Sequence, residues 1–393
     1  MKQFLLNMRA VLWAMFDGLA VLTSSREPRR NLILVIRLDA IGDFVLWLDA
    51  ARALVHRYRA QGYSVVLVGN SAWGRWAREM GVANEIWEID VRRFIGNLLY
   101  RWRWLHRIRK AGFKIAIQPT YSRDFLVGDS LVRSSCADQR IGSVGDEANI
   151  APQLKSWSDR WYTRLVPATS MKLMELSRNA EFMRGLGFTD FVARVPTIAQ
   201  ISNIGNVGTN WLPRRPYAVL SVAASWQGRE WPIANFIDIG QRLVIYGLHV
   251  VVVGAPADRC RFFNLFNALQ DKVTDLVGKT TLGDLAEVLR CATVVVTNET
   301  SAVHMGAAVG SPVVCVLGGG HFGRFAPYET EVTEGDRYLP IFVSVKMECF
   351  GCNWHCKYSR QRKEAVKCIN DISVEKVWSA VETVLNAHKR LRE

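Results

Sequence analysis

Runs of β-branched and other apolar residues, too short for helices and bounded by turn residues, recur along this chain with helical stretches between them. The first series reads LILVIRL from position 32, a helix from Phe44 to Arg59, SVVLVG from 64, a helix around Trp73 to Met80, EIWEI, a basic helix ending at Lys110, and KIAIQPT. Continuous apolar runs suit strands buried on both faces, and strands alternating with helices build a parallel sheet covered by helices on each side. A helix-rich portion follows, with ELSRNAEFMRGLG as its clearest member. A second series begins at YAVLSVAAS and runs through HVVVVGAP, the strand at 293–297 and PVVCVLGG. Between the two series, VPTIAQISNIGNVGTNWLPRRP loses its periodicity among prolines, glycines and asparagines. A length of 393 residues suits about two domains. The expected fold class is therefore α/β, with two Rossmann-like, doubly wound domains facing across a cleft. The boundaries read as an extension over 1–30, a first domain over 31–195, a linker over 196–215 and a second domain over 216–393.

The N-terminal MKQFLLNMRAVLWAMFDGLAVL carries Arg9 and Asp17 within its apolar part and no small-residue cleavage site, so it reads neither as a signal peptide nor as a membrane span. Phe4, Leu5, Met8, Leu12, Met15, Phe16 and Leu19 recur at helical spacing. That predicts an amphipathic helix, packed on its own domain or lying on a membrane surface. The net charge of +14 points to nucleic acid, an anionic membrane or a phosphorylated substrate. Cys136, Cys260, Cys291 and Cys315 are scattered in or near apolar stretches and read as core thiols.

Three loops at strand ends carry the polar groups. In VVVTNETSAVHMGAAVGSP the strand ends in Asn298, Glu299, Thr300 and Ser301, and Thr300 or Ser301 caps a helix that holds His304 about one turn in. A helix N-terminus at a strand's carboxyl end favours a phosphate. In RLDAIGDFVL, Arg37 and Asp39 precede a Gly42 turn that presents Asp43 at a helix start, as a proton acceptor or as a cap. There is no GxGxxG here, which counts against a nicotinamide dehydrogenase. In SVAASWQGREWP, Ser225 and Gln227 lie at a strand end, and Arg229 is either a cation for a diphosphate or a solvated loop arginine.

These segments, in this order, resemble glycosyltransferase family 9, the lipopolysaccharide heptosyltransferases and their relatives, which have the GT-B fold. Arg37, Gly42 and Asp43 match the family's opening pattern, and Ser225, Arg229, Trp231 and Pro232 its mid-chain pattern. Glu299, Thr300, Ser301, His304, Ala307, Ala308, Gly310 and Pro312 match its C-terminal one, and Arg140-Ile141-Gly142 fits a short segment of the first domain. The similarity covers nearly the whole chain from about Asn31. It implies an inverting transfer of a sugar, usually heptose from ADP-heptose, to a hydroxyl of a lipopolysaccharide core or related glycolipid. Asp43 would then be the general base, and Ser225, Arg229, Glu299, Thr300, Ser301 and His304 would bind the donor. The resemblance implies a cytoplasmic enzyme that needs no cofactor for catalysis. Two departures touch the donor site. Glu299-Thr300-Ser301 stands where Asp-Thr-Gly is usual, and Arg229 stands where lysine is frequent. They keep open a non-catalytic nucleotide-sugar binding protein, or a transferase that uses another nucleotide sugar or a protein acceptor.

Cys349, Cys352, Cys356 and Cys368 cluster in CFGCNWHCKYSRQRKEAVKC, an insert over 349–368 beside His355. They read as a structural Zn or Fe site or as a reduced set of thiols, and family members carry a similar insert. The segment RRFIGNLLYRWRWLHRIRK has seven cations and no acid, interleaved with Trp102 and Trp104. It suits an anionic lipid surface or glycolipid acceptor, contacted by Arg37, Arg101, Arg103 and Arg107, on the cytoplasmic face of the inner membrane. No other feature of the sequence supports nucleic acid as its partner.

Overall fold

The computed structural model describes residues 2–23, 31–200, 213, 215–328, 339–361 and 364–390. The side chains of Phe4, Leu5 and Met8, and the linker residues 201–212 and 214, lie outside what is described. The chain divides into two compact units, one of 1–171 with 177–192, the other of 172–176 with 193–393.

The first unit holds strands β1 (Leu32–Arg37), β2 (Ser64–Asn70), β3 (Glu85–Ile89), β4 (Ile115–Gln118), β5 (Gln139–Ser143) and β6 (Arg164–Val166). They form one parallel sheet in the order β3-β2-β1-β4-β5-β6. The second unit repeats the pattern with β7 (Tyr217–Ser221), β8 (His249–Val253), β9 (Val273–Asp275), β10 (Val294–Asn298), β11 (Val313–Val316) and β12 (Ile341–Val343), ordered β12-β11-β10-β7-β8-β9. Both are doubly wound α/β sheets. The chain reverses direction between β1 and β4 in the first and between β7 and β10 in the second. A crevice outside the carboxyl ends of strands forms at such a reversal, so topology alone selects the loops after β1, β4, β7 and β10 as sites.

The apolar runs behave as their composition requires. Every residue of β7, β8, β10 and β11 is buried. Trp231 from the loop after β7, Phe236, Ile239 and Leu243 from the helix that follows it, and Val377, Val381 and Val384 from another helix close the core around those strands. In the first unit the helix Ile41–Ala60 buries Phe44, Leu48, Ala51 and Leu54, and its last turn carries Arg57 and Arg59, cations suited to the negative end of the helix dipole.

Several expectations need correction. Gly42 is helical, in the first turn of Ile41–Ala60, and the chain bends at Asp39 instead, with Ala40 as the extended cap residue. The basic segment is two helices, Val91–Gly96 and Leu98–Lys110, because Asn97 leaves helical geometry and caps the second by accepting from the Tyr100 amide. Arg101 is fully buried, so it contacts neither membrane nor acceptor. It donates through Nε and Nη2 to the two Asp17 carboxylate oxygens at 2.6 and 2.5 Å. It also donates to the Leu126 carbonyl at 2.7 Å and to Ser130 Oγ at 2.8 Å. Cys315 is a core thiol, whereas Cys260 and Cys291 are exposed, on a short 3-10 helix and at a helix C-cap respectively. The short strands β5, β6, β9 and β12 carry too few apolar residues to stand out as runs.

Candidate functional site

The second unit assembles its site from the loops after β7 and β10. Thr300 caps the helix Ser301–Val309, its hydroxyl accepting from the Ala302 amide at 3.3 Å. The helix ends at Gly310, whose φ of 79° is the left-handed geometry that glycine adopts without steric penalty. Asn298, the last residue of β10, is buried and bridges the two loops. Its Oδ1 accepts from the Trp231 amide at 3.0 Å and its Nδ2 donates to the Val222 carbonyl at 2.5 Å. That bridge fixes the segment carrying Arg229. Arg229 donates to the Glu299 carbonyl at 2.8 Å and to Ser225 Oγ at 3.4 Å. A guanidinium and a helix N-terminus are thereby brought to the same strand ends, an arrangement suited to an anion.

Two buried titratable groups adjoin them. Among the described residues neither Glu299 oxygen accepts a hydrogen bond, and Oε2 lies 3.7 Å from Arg229 Nη2. Burial pushes the Glu299 carboxyl up to about 7, with Arg229 opposing the shift. Burial, and secondarily Arg229, pushes His304 down to about 4. His304 is thus neutral, with Nδ1 2.7 Å from the Tyr328 hydroxyl and its ring stacked on that tyrosine.

A raised carboxyl adds stability that is complete below its unfolded value of 4.5 and is lost as pH rises through about 7. Glu299→Gln removes that loss. In urea unfolding the variant should gain on the wild type by about 3 kcal/mol between pH 4.5 and pH 8. A difference that stays constant across that range would place the Glu299 carboxyl in a more polar setting.

The cysteine-rich insert packs onto this site. Phe350 and Trp354 occupy the space where Cβ atoms would stand on Gly319 and Gly320, in the loop after β11. Trp354 Nε1 donates to His321 Nδ1 at 3.2 Å, and His321 Nε2 lies 2.7 Å from Asn353 Oδ1. Because an indole can only donate, His321 is the Nε2-protonated tautomer, and burial holds its ring down to about 4. The Arg229 guanidinium sits 4.8 Å from the Trp354 ring centre. Cys349, Cys352, Cys356 and Cys368 line one small pocket, and Cys368 Sγ accepts from the Gly319 amide at 3.3 Å. Among the described residues no three His, Cys, Asp or Glu groups are gathered closely enough to hold a metal ion. A separate pocket of about 640 Å3 beside Gln227–Pro232 is lined by the ion pairs Arg261–Glu230 and Lys367–Asp371 and by Arg360 and Glu364.

In the first unit, Asp43 is half-buried in the first turn of Ile41–Ala60, where the cap position belongs to Ala40. Asp43 is therefore not the helix cap. Arg37 is buried and its Nε pairs with Asp39 Oδ2 at 2.6 Å, so it holds Asp39 and does not face an acceptor. Thr120, from the loop after β4, donates to the same Asp39 oxygen at 3.3 Å. Asp39, Gln118, Thr120 and Ser122 line a cavity of about 130 Å3 at the reversal point. Arg103 and Arg107 are exposed on Leu98–Lys110. Arg140 and Gly142 are structural: Arg140 donates to the Trp161 and Ala137 carbonyls, and Tyr162 fills the space beside Gly142. The roles of Asn298, Thr120 and Trp354 were not legible in sequence, because each depends on a neighbour more than 30 residues away.

Residues 196–349 match the family model of glycosyltransferase family 9 (heptosyltransferase). Lipopolysaccharide heptosyltransferase 1 of Pseudomonas aeruginosa is 24% identical over 382 residues, 92% of this chain and 99% of that protein. Lipooligosaccharide heptosyltransferase 2 of Haemophilus influenzae is 27% identical over 94 residues, 23% of this chain and 27% of that relative's length. The solved ADP-heptose lipopolysaccharide heptosyltransferase II of E. coli shares the fold, with a TM-score of 0.63 at 16% identity over 91% of this chain and 99% of that one. The chain is thus similar to the heptosyltransferases of glycosyltransferase family 9 over 196–349 by the family model and nearly end to end by alignment, and its two parallel six-stranded α/β sheets have the fold of those enzymes.

Proposed function

We propose that this enzyme transfers heptose from ADP-heptose, with inversion, to a hydroxyl of a lipopolysaccharide core or related anionic glycolipid in the cytoplasm. The observation that carries the donor assignment is Arg229, held by Ser225 Oγ and the Glu299 carbonyl at the head of the Thr300-capped helix. Asp43 takes the proton of the acceptor hydroxyl as its oxygen bonds to the anomeric carbon. The bond from that carbon to the diphosphate breaks, and its electron pair leaves on ADP. Arg229 and the helix N-terminus stabilise the growing charge. Neutral His304 and Glu299 lie beside the sugar. The test is incubation with ADP-heptose and a heptose-free core acceptor, followed by mass spectrometry. A product heavier by one heptose, with matching ADP release, is expected; transfer from a UDP- or GDP-sugar alone would overturn the donor.

The four thiols are proposed to close on a structural Zn or Fe ion that takes no part in transfer. Elemental analysis of protein purified without chelators should then give about one ion per chain. Metal-free protein with four titratable thiols would contradict it.

A further inference from the structure

The helix Lys2–Leu22 packs the wrong way round for a helix that serves only its own domain. Its inward face is small, with Ala10 and Ala14 against Phe125 and Ile150, Ala20 in the main core of the unit, and Asp17 paired with Arg101. Trp13 is half-buried over Arg101, whereas a stripe of large apolar residues points outward. Leu12, Met15, Leu19 and Leu22 are 63%, 62%, 63% and 81% exposed, and their spacing of three, four and three residues puts them on one face. From 11 to 23 the only charged residue is the buried Asp17. A contiguous apolar stripe of this size marks an interaction surface.

The neighbouring helix says what covers it. Leu98–Lys110 runs alongside, joined by Asp17 to Arg101 and by Thr23 Oγ1 to His106 Nε2 at 3.5 Å. It exposes Leu98 and Leu99 at its start and Arg103, Arg107 and Lys110 along its length. Apolar side chains flanked by cations of one sign match a bilayer interface with anionic headgroups. The same cations repel a second copy of a chain whose net charge is +14. Among the described residues no helix is long and apolar enough to cross a membrane, so the contact is with its surface.

We infer that the exposed face of Lys2–Leu22, with the cations of Leu98–Lys110, docks the first unit on an anionic bilayer surface. This stands on the first unit's geometry alone, so its failure would leave the transferase reading untouched. The experiment is flotation of the intact protein with vesicles of phosphatidylcholine alone or mixed with phosphatidylglycerol. Binding to the mixed vesicles is expected, weakened by salt. The variant Leu12→Ser, Met15→Ser, Leu19→Ser should bind them at least tenfold more weakly with an unchanged melting midpoint, because those side chains touch solvent. Arg103→Glu with Arg107→Glu should abolish the preference for phosphatidylglycerol. Absence of the intact protein from the floated fraction, or equal flotation of the serine variant, would overturn the inference. So would a concentration-dependent dimer that the serine variant loses while vesicles go unbound, since the face would then join two copies of the chain.

Discussion

Asp43→Asn is expected to cut turnover by about 10²–10⁴-fold while ADP affinity stays within twofold of the wild type, an estimate of about the size of a general base's contribution. The substitution keeps the side chain's size in the first turn of its helix, so the fold should survive. The donor groups proposed here all belong to the second unit, which is why binding and turnover should separate. Asp39 is the internal control. Its Oδ2 is already engaged by Arg37 and Thr120, so Asp39→Asn should act by loosening the loop after β1 and raise the acceptor KM more than it lowers kcat. Wild-type turnover in Asp43→Asn would remove the base assignment. A full loss in Asp39→Asn alone would move it four residues upstream.

The second large effect is on stability. Asp17 and Arg101 are both buried and make a two-point ion pair that ties the first helix to the body of its unit. Removing one partner leaves the other charge buried without compensation, which costs about 3–5 kcal/mol. Asp17→Asn should lower the urea midpoint of the first unit accordingly. The double variant Asp17→Leu, Arg101→Met should recover part of that loss, because it buries no lone charge. An Asp17→Asn protein as stable as the wild type would mean that the helix is not held by this pair.

How much was legible beforehand follows from where each signal resides. The strands of continuous Val, Ile and Leu announced themselves, since burial on both faces leaves its mark on every residue. Strands such as Arg164–Val166 and Val273–Asp275 are short and only partly buried, and they became visible only through their sheet partners. The loop over 298–301 was readable as a strand end and helix start because strand, cap and helix are contiguous in sequence. The burial of Arg101 was not, because its partner lies 84 residues away on another helix, and an arginine in a run of arginines looks like surface. The same applies to Trp354, whose place against Arg229 and His321 depends on how the cysteine-rich segment folds back over a glycine loop.

The proposed function places an ADP-linked donor at Arg229 and the Thr300-capped helix. Calorimetric titration of the wild type and of Arg229→Ala with ADP, UDP and GDP tests it most directly. ADP should bind in preference to UDP and GDP, and Arg229→Ala should weaken ADP by about 10- to 100-fold, as expected for loss of a charge-assisted contact. Tighter binding of UDP or GDP, or ADP binding that is indifferent to Arg229, would contradict it.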